Sequence, residues 1–491
     1  MNWIPSASQI VQLIIVGLVW YLYKSWIRPY RLLKKLGLKV PFPKPIFGNL
    51  LDCHPSIQHL GQLKNQEKYG RVYGSLFFSI PTILIGEPDL LKSVCVKDFS
   101  NFSDRYPLVD GIEPFDKTLL ELKGTDWKRV RNILLPTFSA SKLKAIMPFI
   151  DRAGDRLVAT ILKADEEGQS IDLWRTCGKF TMEVILATAF GIEFESKEQE
   201  KKLTNAARAL FDTSPGPLQF LLIFAPPLFR VLEPKLGGQF MNSTHYLMKT
   251  CKQVIKERRR NMAEGIACRR DILQQMLEAG DSDKLNDQEV VSQALIFLAA
   301  GYETTANTLA FATHSLATNP EIQQRVFDEI SDKLSENDSL DYDSVGDLPY
   351  LEMVIAETLR MYPPIFLANR SIKEDMEIDG LQVSKEAMIG IPVYAIHHNP
   401  KIWPEPEQFR PERFTSEEKS KRDPCTYLPF GNGPRNCIGM RLAMLEVKLA
   451  IVKILQKVEL IVTKETDVPL QLKCGSTLSP ANGVYVGFRK R

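Results

Sequence analysis

The sequence lacks any close-set group of cysteines. Its eight, Cys53, Cys95, Cys177, Cys251, Cys268, Cys425, Cys437 and Cys474, are spread thinly, with no CxxC among them. That excludes a dense disulfide scaffold and the paired ligands of a structural zinc site. Charge of one sign is also missing: 62 Lys and Arg stand against 59 Asp and Glu, a net +3 over 491 residues. So balanced a chain does not point to a nucleic-acid partner. There is no internal repeat, no low-complexity tract and no GxGxxG after a strand, so the chain brings no dinucleotide site of its own. What remains, 44% hydrophobic and 25% charged residues, is ordinary for a globular protein with a large core.

No basic residue precedes the first apolar run. Ile4 to Tyr23 (IPSASQIVQLIIVGLVWYLY) carries no charge and has roughly the twenty residues that a bilayer-crossing helix needs. Trp20, Tyr21 and Tyr23 are placed like an interfacial belt, and Lys24, Arg28, Arg31, Lys34, Lys35 and Lys39 follow at once. The positive-inside rule then puts the N-terminus outside or in a lumen and the body of the chain in the cytosol. A cleaved signal peptide would carry its basic residues first. An uncleaved anchor over residues 1–23 is favoured over a buried core helix, although Pro5, Ser6, Ser8, Gln9 and Gln12 dilute the run. Residues 24–45 read as a basic, proline-rich tether, since three prolines in Pro41–Pro45 enforce an extended chain. Residues 46–491 read as one large domain.

That domain is mainly α with small β-sheets. Arg71 to Gly86 (RVYGSLFFSIPTILIG) predicts a strand pair broken at Pro81. Long amphipathic stretches dominate from about Lys123, among them a helix from about Asp287 to Leu316. Asn319-Pro320-Glu321 reads as a helix start, and Leu351, Val354, Ile355, Thr358 and Leu359 carry helical spacing. Met388 to Ile396 reads as strand.

Phe430 to Arg441 (FGNGPRNCIGMR) sets Cys437 on a glycine-broken turn with an apolar helix pattern from Ile438 onward. A helix start stabilises a thiolate, and Gly433 and Gly439 permit backbone approaches that a Cβ would obstruct. One thiolate cannot close a tetrahedral zinc site, but it suffices as an axial ligand to haem iron. On residue type alone a buried thiol remains the alternative. Glu357-Thr358-Leu359-Arg360 sets an acid and an arginine three apart on a helix, a pair that is often only a solvated surface bridge. Trp127-Lys128-Arg129-Val130-Arg131 offers an indole donor and a guanidinium suited to carboxylates, or a solvated helix face. Ala300 to Thr305 (AGYETT) puts a glycine inside the long helix, where it costs about 0.5–1 kcal/mol against alanine.

Together, and in this order, these stretches resemble the cytochrome P450 family. FGNGPRNCIG agrees with its haem-binding signature at Phe430, Gly433, Arg435, Cys437 and Gly439; ETLR with its ExxR pair; FRPERF, Phe409 to Phe414, with the loop whose Arg413 completes a Glu–Arg–Arg lock. WKRVR is similar to its WxxxR and AGYETT to its oxygen-binding groove. AGYETT, ETLRMYPP and FGNGPRNCIGMR look most like the family 3 cytochromes, membrane-bound enzymes of broad lipophilic substrate range. Asn432 departs from the serine or alanine usual at its position.

The resemblance implies the cytochrome P450 fold, a helical haem domain behind a membrane-anchor helix, and haem b (iron protoporphyrin IX) as cofactor. Cys437 would be its metal ligand. Trp127, Arg131, Arg435, Arg370 and Arg105 would hold the propionates, Ala300 and Phe430 would border the haem, and Glu357, Arg360 and Arg413 would support it. Glu303 and Thr304 would relay protons to bound oxygen, which reads as a monooxygenase. The alternative is an isomerase or synthase that rearranges a peroxide without a redox partner, and such enzymes can lack the acid–threonine pair. The substrate pocket would be Phe297, Ala300, Thr304, Ile365, Phe366, Leu367, Ala368, Thr477 and Leu478, apolar enough for a lipophilic small molecule such as a xenobiotic, steroid or fatty acid. Electrons would come from NADPH–cytochrome P450 reductase, with cytochrome b5 as a further candidate, docking on Lys128, Arg129, Lys421, Arg422, Arg441 and Lys448. The enzyme would be a single-pass protein of the endoplasmic reticulum membrane with a cytosolic catalytic domain. Leu218 to Leu232 (LQFLLIFAPPLFRVL) would either dip into the membrane surface or form a buried helix and loop.

Overall fold

Alternating apolar residues pair Val72–Phe77 (β1) with Ile80–Ile85 (β2) as an antiparallel hairpin. The turn falls at Phe78, whose φ of 53° is left-handed, rather than at Pro81 as expected. Pro81 lies inside β2 opposite Leu76, one residue before the Thr82–Leu84 stretch that pairs with the next strand, so its missing N–H leaves no gap in that ladder. The computed structural model describes residues 7–107, 113–192, 197–209, 238–278, 285–336 and 340–491. The expected membrane-surface segment 218–232 lies outside them. The chain divides into two compact units, Met1–Tyr106 with Ile365–Glu407 and Arg422–Asn436, and Pro107–Pro364 with Gln408–Lys421 and Cys437–Arg491.

The first unit begins with α1 (Ala7–Leu22), a fully solvent-facing apolar helix, and continues through one π-turn into α2 (Arg28–Lys35). Its sheet has the order β1-β2-β4-β3, with β3 Ala368–Ser371 and β4 Met388–Ile391. β4 is parallel to β2 and antiparallel to β3. The strand expected over Met388 to Ile396 stops at Ile391; Pro392 interrupts it, and Val393–His397 closes as a helical turn. Leu33, Leu38, Val40, Leu76, Ile83, Ile85, Phe102 and Ile389 form the core against this sheet.

The second unit is helical. Its elements are α4 (Gly124–Leu134), α5 (Ala140–Glu166), α6 (Leu173–Ala189), α7 (Asp287–Thr318), α8 (Pro349–Met361) and α9 (Met440–Leu455), α3 being Gln58–Tyr69 of the first unit. α7 starts at a capping box, Asn286 with Glu289, and lies along α6. Asn319 does not cap the helix Pro320–Glu336 with its side chain, as its position suggested; its amide donates back to the Ser315 carbonyl (2.8 Å) and closes α7. The five apolar-face residues of α8 are all buried. Two ribbons complete the unit: β5 (Val458–Ile461) with β8 (Gly487–Lys490), and β6 (Leu472–Cys474) with β7 (Leu478–Pro480).

Candidate haem-thiolate site

In the first unit, the turn before Cys437 is built for close approach. Gly433 sits at φ 73°, and a Cβ there would collide with the Cys95 carbonyl oxygen. Asn432, the departure from the family pattern, tightens this turn: its Oδ1 accepts from the Gly433 amide (2.7 Å) and its amide donates to Cys425 Sγ (3.3 Å). Arg435 is buried and faces Asp104 at 3.7 Å. The Asp104–Tyr106 stretch runs beside β3, with the Ser371 amide donating to the Asp104 carbonyl (2.8 Å) and the Tyr106 amide to Asn369 Oδ1 (3.0 Å). Arg105 is thus carried on the irregular segment beside β3, the strand of Arg370. Arg370 is 3% exposed, its Nε has no hydrogen-bond partner, and burial draws its pKa down. A buried guanidinium with an open donor is a place for an anion. Phe430, Phe366, Leu367 and Ala368 are half-buried in this unit, and Ile365 is exposed.

In the second unit, Cys437 is exposed, whereas Cys177 and Cys251 there, like Cys95 and Cys425 of the first unit, are buried and have their thiols held above the ordinary range chiefly by desolvation. α9 begins at Met440, two residues later than expected, because Gly439 takes the cap position (φ −88°, ψ 8°). On α4, buried Trp127 and half-buried Arg131 stack at 5.8 Å. Burial lowers the Arg131 pKa, and the Cys437 sulfur nearby raises it. Glu357 is closed to solvent and takes Arg360 through Nε (2.7 Å) and Nη2 (2.9 Å), with Arg413 Nε at 3.3 Å, so the expected lock is assembled.

Glu303 and Thr304 turn to different partners. The Thr304 hydroxyl donates to the Ala300 carbonyl (2.5 Å), the back-bond expected of a helical threonine. Glu303 accepts from Ser476 Oγ (2.9 Å) on the turn between β6 and β7. Burial lifts the Glu303 carboxyl above its usual range, against the hydroxyls of Ser476 and Thr477 and the charge of Lys473. Phe297 and Leu478 are buried, Phe297 edge-on to Phe138 at 5.5 Å, and Ala300 is exposed. Thr477 is buried, its oxygen taking the Asn307 amide (2.9 Å). Ser476, Asn307 and Trp174 were absent from the sequence reading. Asn307 had a signal, a buried-type position one helical turn after Glu303 in an apolar run, but its partners are far away in sequence.

The proposed basic docking patch is reduced. Lys448 is buried, donating to the Gly346 carbonyl (2.8 Å) and pairing with Glu352 (3.0 Å). Arg129 pairs with Glu289, and Lys421 with Glu417 and Glu418. A charge satisfied inside the protein steers little from outside.

The cytochrome P450 family model matches residues 38–488. The chain belongs to the cytochrome P450 family. Cytochrome P450 3A29 of Sus scrofa is 35% identical over the whole of this chain and 97% of its own length. Cytochrome P450 3A5 of Homo sapiens is 36% identical over the whole chain and 99% of its own length, and cytochrome P450 3A31 of Mesocricetus auratus is 37% identical over 95% and 93%. As a cytochrome P450 the protein is a haem-binding monooxygenase of lipophilic substrates. The residues present fit that cofactor: an exposed thiol for iron, and a buried guanidinium with an open Nε for a propionate.

Proposed function

We propose that this chain inserts one atom of dioxygen into a xenobiotic, steroid or fatty-acid-like substrate, using NADPH-derived electrons from a flavoprotein reductase, at the cytosolic face of the endoplasmic reticulum membrane. Residues 1–23 would be its anchor, 24–45 its tether and 46–491 its catalytic domain. The observation that carries the reading is the exposure of Cys437, where the buried cysteines are held as neutral thiols.

Haem, when bound, supplies the chemistry that activates dioxygen, with electron density pushed from the Cys437 thiolate. The rest falls to the chain. Trp127, Arg131, Arg105, Arg370 and Arg435 offer N–H donors to propionates. Glu357, Arg360 and Arg413 brace the helix and loop that carry them. Phe297 and Leu478 of the second unit, and the Ile365–Ala368 stretch of the first, would each offer a lipophilic substrate apolar surface with few groups to fix its orientation. Glu303, a half-buried carboxyl raised above its usual range by burial, would be one station of a proton relay, and the Thr304 hydroxyl, anchored to its own helix, the second. The deciding measurement is the carbon monoxide difference spectrum of the dithionite-reduced protein. A strongly red-shifted Soret band in the wild type that vanishes in Cys437→Ser is expected. An unchanged band in the variant would overturn the ligand assignment.

A further inference from the structure

The β6–β7 turn reaches the long helix at one carboxylate and one amide. Cys474 pairs with Leu478, and Gly475, Ser476 and Thr477 make the turn, closed by the Gly475 amide on the Thr477 carbonyl (2.9 Å). Ser476 Oγ donates to Glu303 Oε2 at 2.9 Å. Four residues on, Asn307 is fully buried and makes three hydrogen bonds. Its Oδ1 takes Trp174 Nε1–H (2.6 Å), and its Nδ2 donates to the Leu478 carbonyl and to Thr477 Oγ1, both at 2.9 Å.

The donor inventory fixes the direction of every bond. Indole N–H only donates and a carbonyl only accepts, so the Asn307 amide cannot be flipped. Its two N–H groups therefore go to Thr477 Oγ1 and the Leu478 carbonyl, which fixes the foot of the turn to the long helix with Ser476 at its tip.

We propose that Ser476 is a positioning residue for the Glu303 carboxylate, and that Asn307, through Thr477 and Leu478, holds the turn in register so that Ser476 donates to Glu303. The inference rests on the reading of Glu303 as the proton-delivering acid. It adds that this acid is aimed from a hairpin more than 170 residues away in sequence. Without that hydroxyl the carboxylate has no fixed direction, and proton delivery to oxygen loses its timing. Electrons then leave as hydrogen peroxide, two electrons and two protons per dioxygen, instead of entering product.

The test uses the full-length holoenzyme with Ser476→Ala, Ser476→Thr, Asn307→Ala and Glu303→Gln. Infrared titration of the resting ferric enzyme follows the protonated carboxyl band that is missing in Glu303→Gln. A lost donor weakens the ionised form, so in Ser476→Ala and Asn307→Ala the titration should move to higher pH, while Ser476→Thr keeps the wild-type curve. In turnover, Ser476→Ala should raise peroxide released per product about tenfold, the weight of one charge-assisted hydrogen bond. That effect should disappear in the Glu303→Gln background. A Ser476→Ala curve superimposable on the wild type, with the thiolate spectrum intact, overturns the proposal. If the titrations shift but Glu303→Gln couples as well as the wild type, the positioning stands and the proton-delivery reading of Glu303 fails.

Discussion

Four donors converge on the two oxygens of Glu357, a side chain with no contact with water: Arg360 Nε and Nη2, Arg413 Nε and the Arg410 amide (2.9 Å). Taking one carboxylate and two guanidiniums out of water is expensive, and their attraction repays it only while every partner is present. Arg413 feels the strain, since burial lowers its pKa while Glu357 raises it. Removing one member should therefore cost more than the group contributes as a whole. Arg360→Met is expected to destabilise the enzyme by about 3–5 kcal/mol, read as an earlier guanidinium midpoint for haem loss. Arg360→Lys should recover only part of that, because an ammonium cannot fork onto both oxygens. The double variant Glu357→Leu/Arg360→Met should be less damaged than the two single changes summed. Additive losses would mean that these residues do not act as a unit. This lock was legible in the sequence because its spacing, ExxR then PERF, is local to two short stretches. Glu303's partner was not, because nothing in the sequence places Ser476 beside residue 303.

Elements show the same division between local pattern and tertiary contact. The long helix, the amphipathic face of α8 and the β1–β2 pair were all legible from periodicity, since each buries one face. Pro81 and Met388 to Ile396 were misread because a proline's fitness for a strand depends on which neighbour needs its N–H. Gly301 carries a second lesson. The family's oxygen groove accounted for it in the sequence, but the structure adds a packing reason: a Cβ would lie 2.7 Å from Ile185 Cδ1 on α6. Helix propensity favours Gly301→Ala by about 0.5–1 kcal/mol, and overpacking opposes it by about 1–3 kcal/mol. Overpacking wins, so the variant should lower the thermal midpoint. Ile185→Val removes the offending methyl, and in that background the same change should become stabilising. Thermal unfolding of the four proteins in the cycle decides it; no change of sign would mean that another contact sets the glycine.

At the scale of the whole molecule, the chain has to attach to a membrane without losing part of its core. α1 exposes Ile10, Val11, Leu13, Ile14, Ile15, Val16, Leu18, Val19 and Trp20, and its 16 residues rise about 24 Å, most of a hydrocarbon layer. The helix continues beyond the apolar stretch, and there its role changes. Trp26 donates to the Pro43 carbonyl (2.8 Å), Arg28 pairs with Glu386 (2.5 Å), and Leu33 is fully buried against Gly74, where a Cβ would lie 3.3 Å from it. One continuous helix thus presents an apolar, exposed surface long enough for a bilayer at its start and joins the core of the first unit at its end. The two roles should separate on truncation. Deleting residues 2–23 should move the enzyme from the carbonate-washed membrane pellet to the supernatant with its spectrum and thermal midpoint unchanged. Deleting residues 2–35 should add a loss of stability of about 2–5 kcal/mol, the cost of removing a buried leucine side chain from a packed site. Restoring residues 24–35 without the apolar run should recover the midpoint but not the membrane. Equal stability of the two truncations would mean that α2 belongs functionally to the tether and that the catalytic domain begins after it.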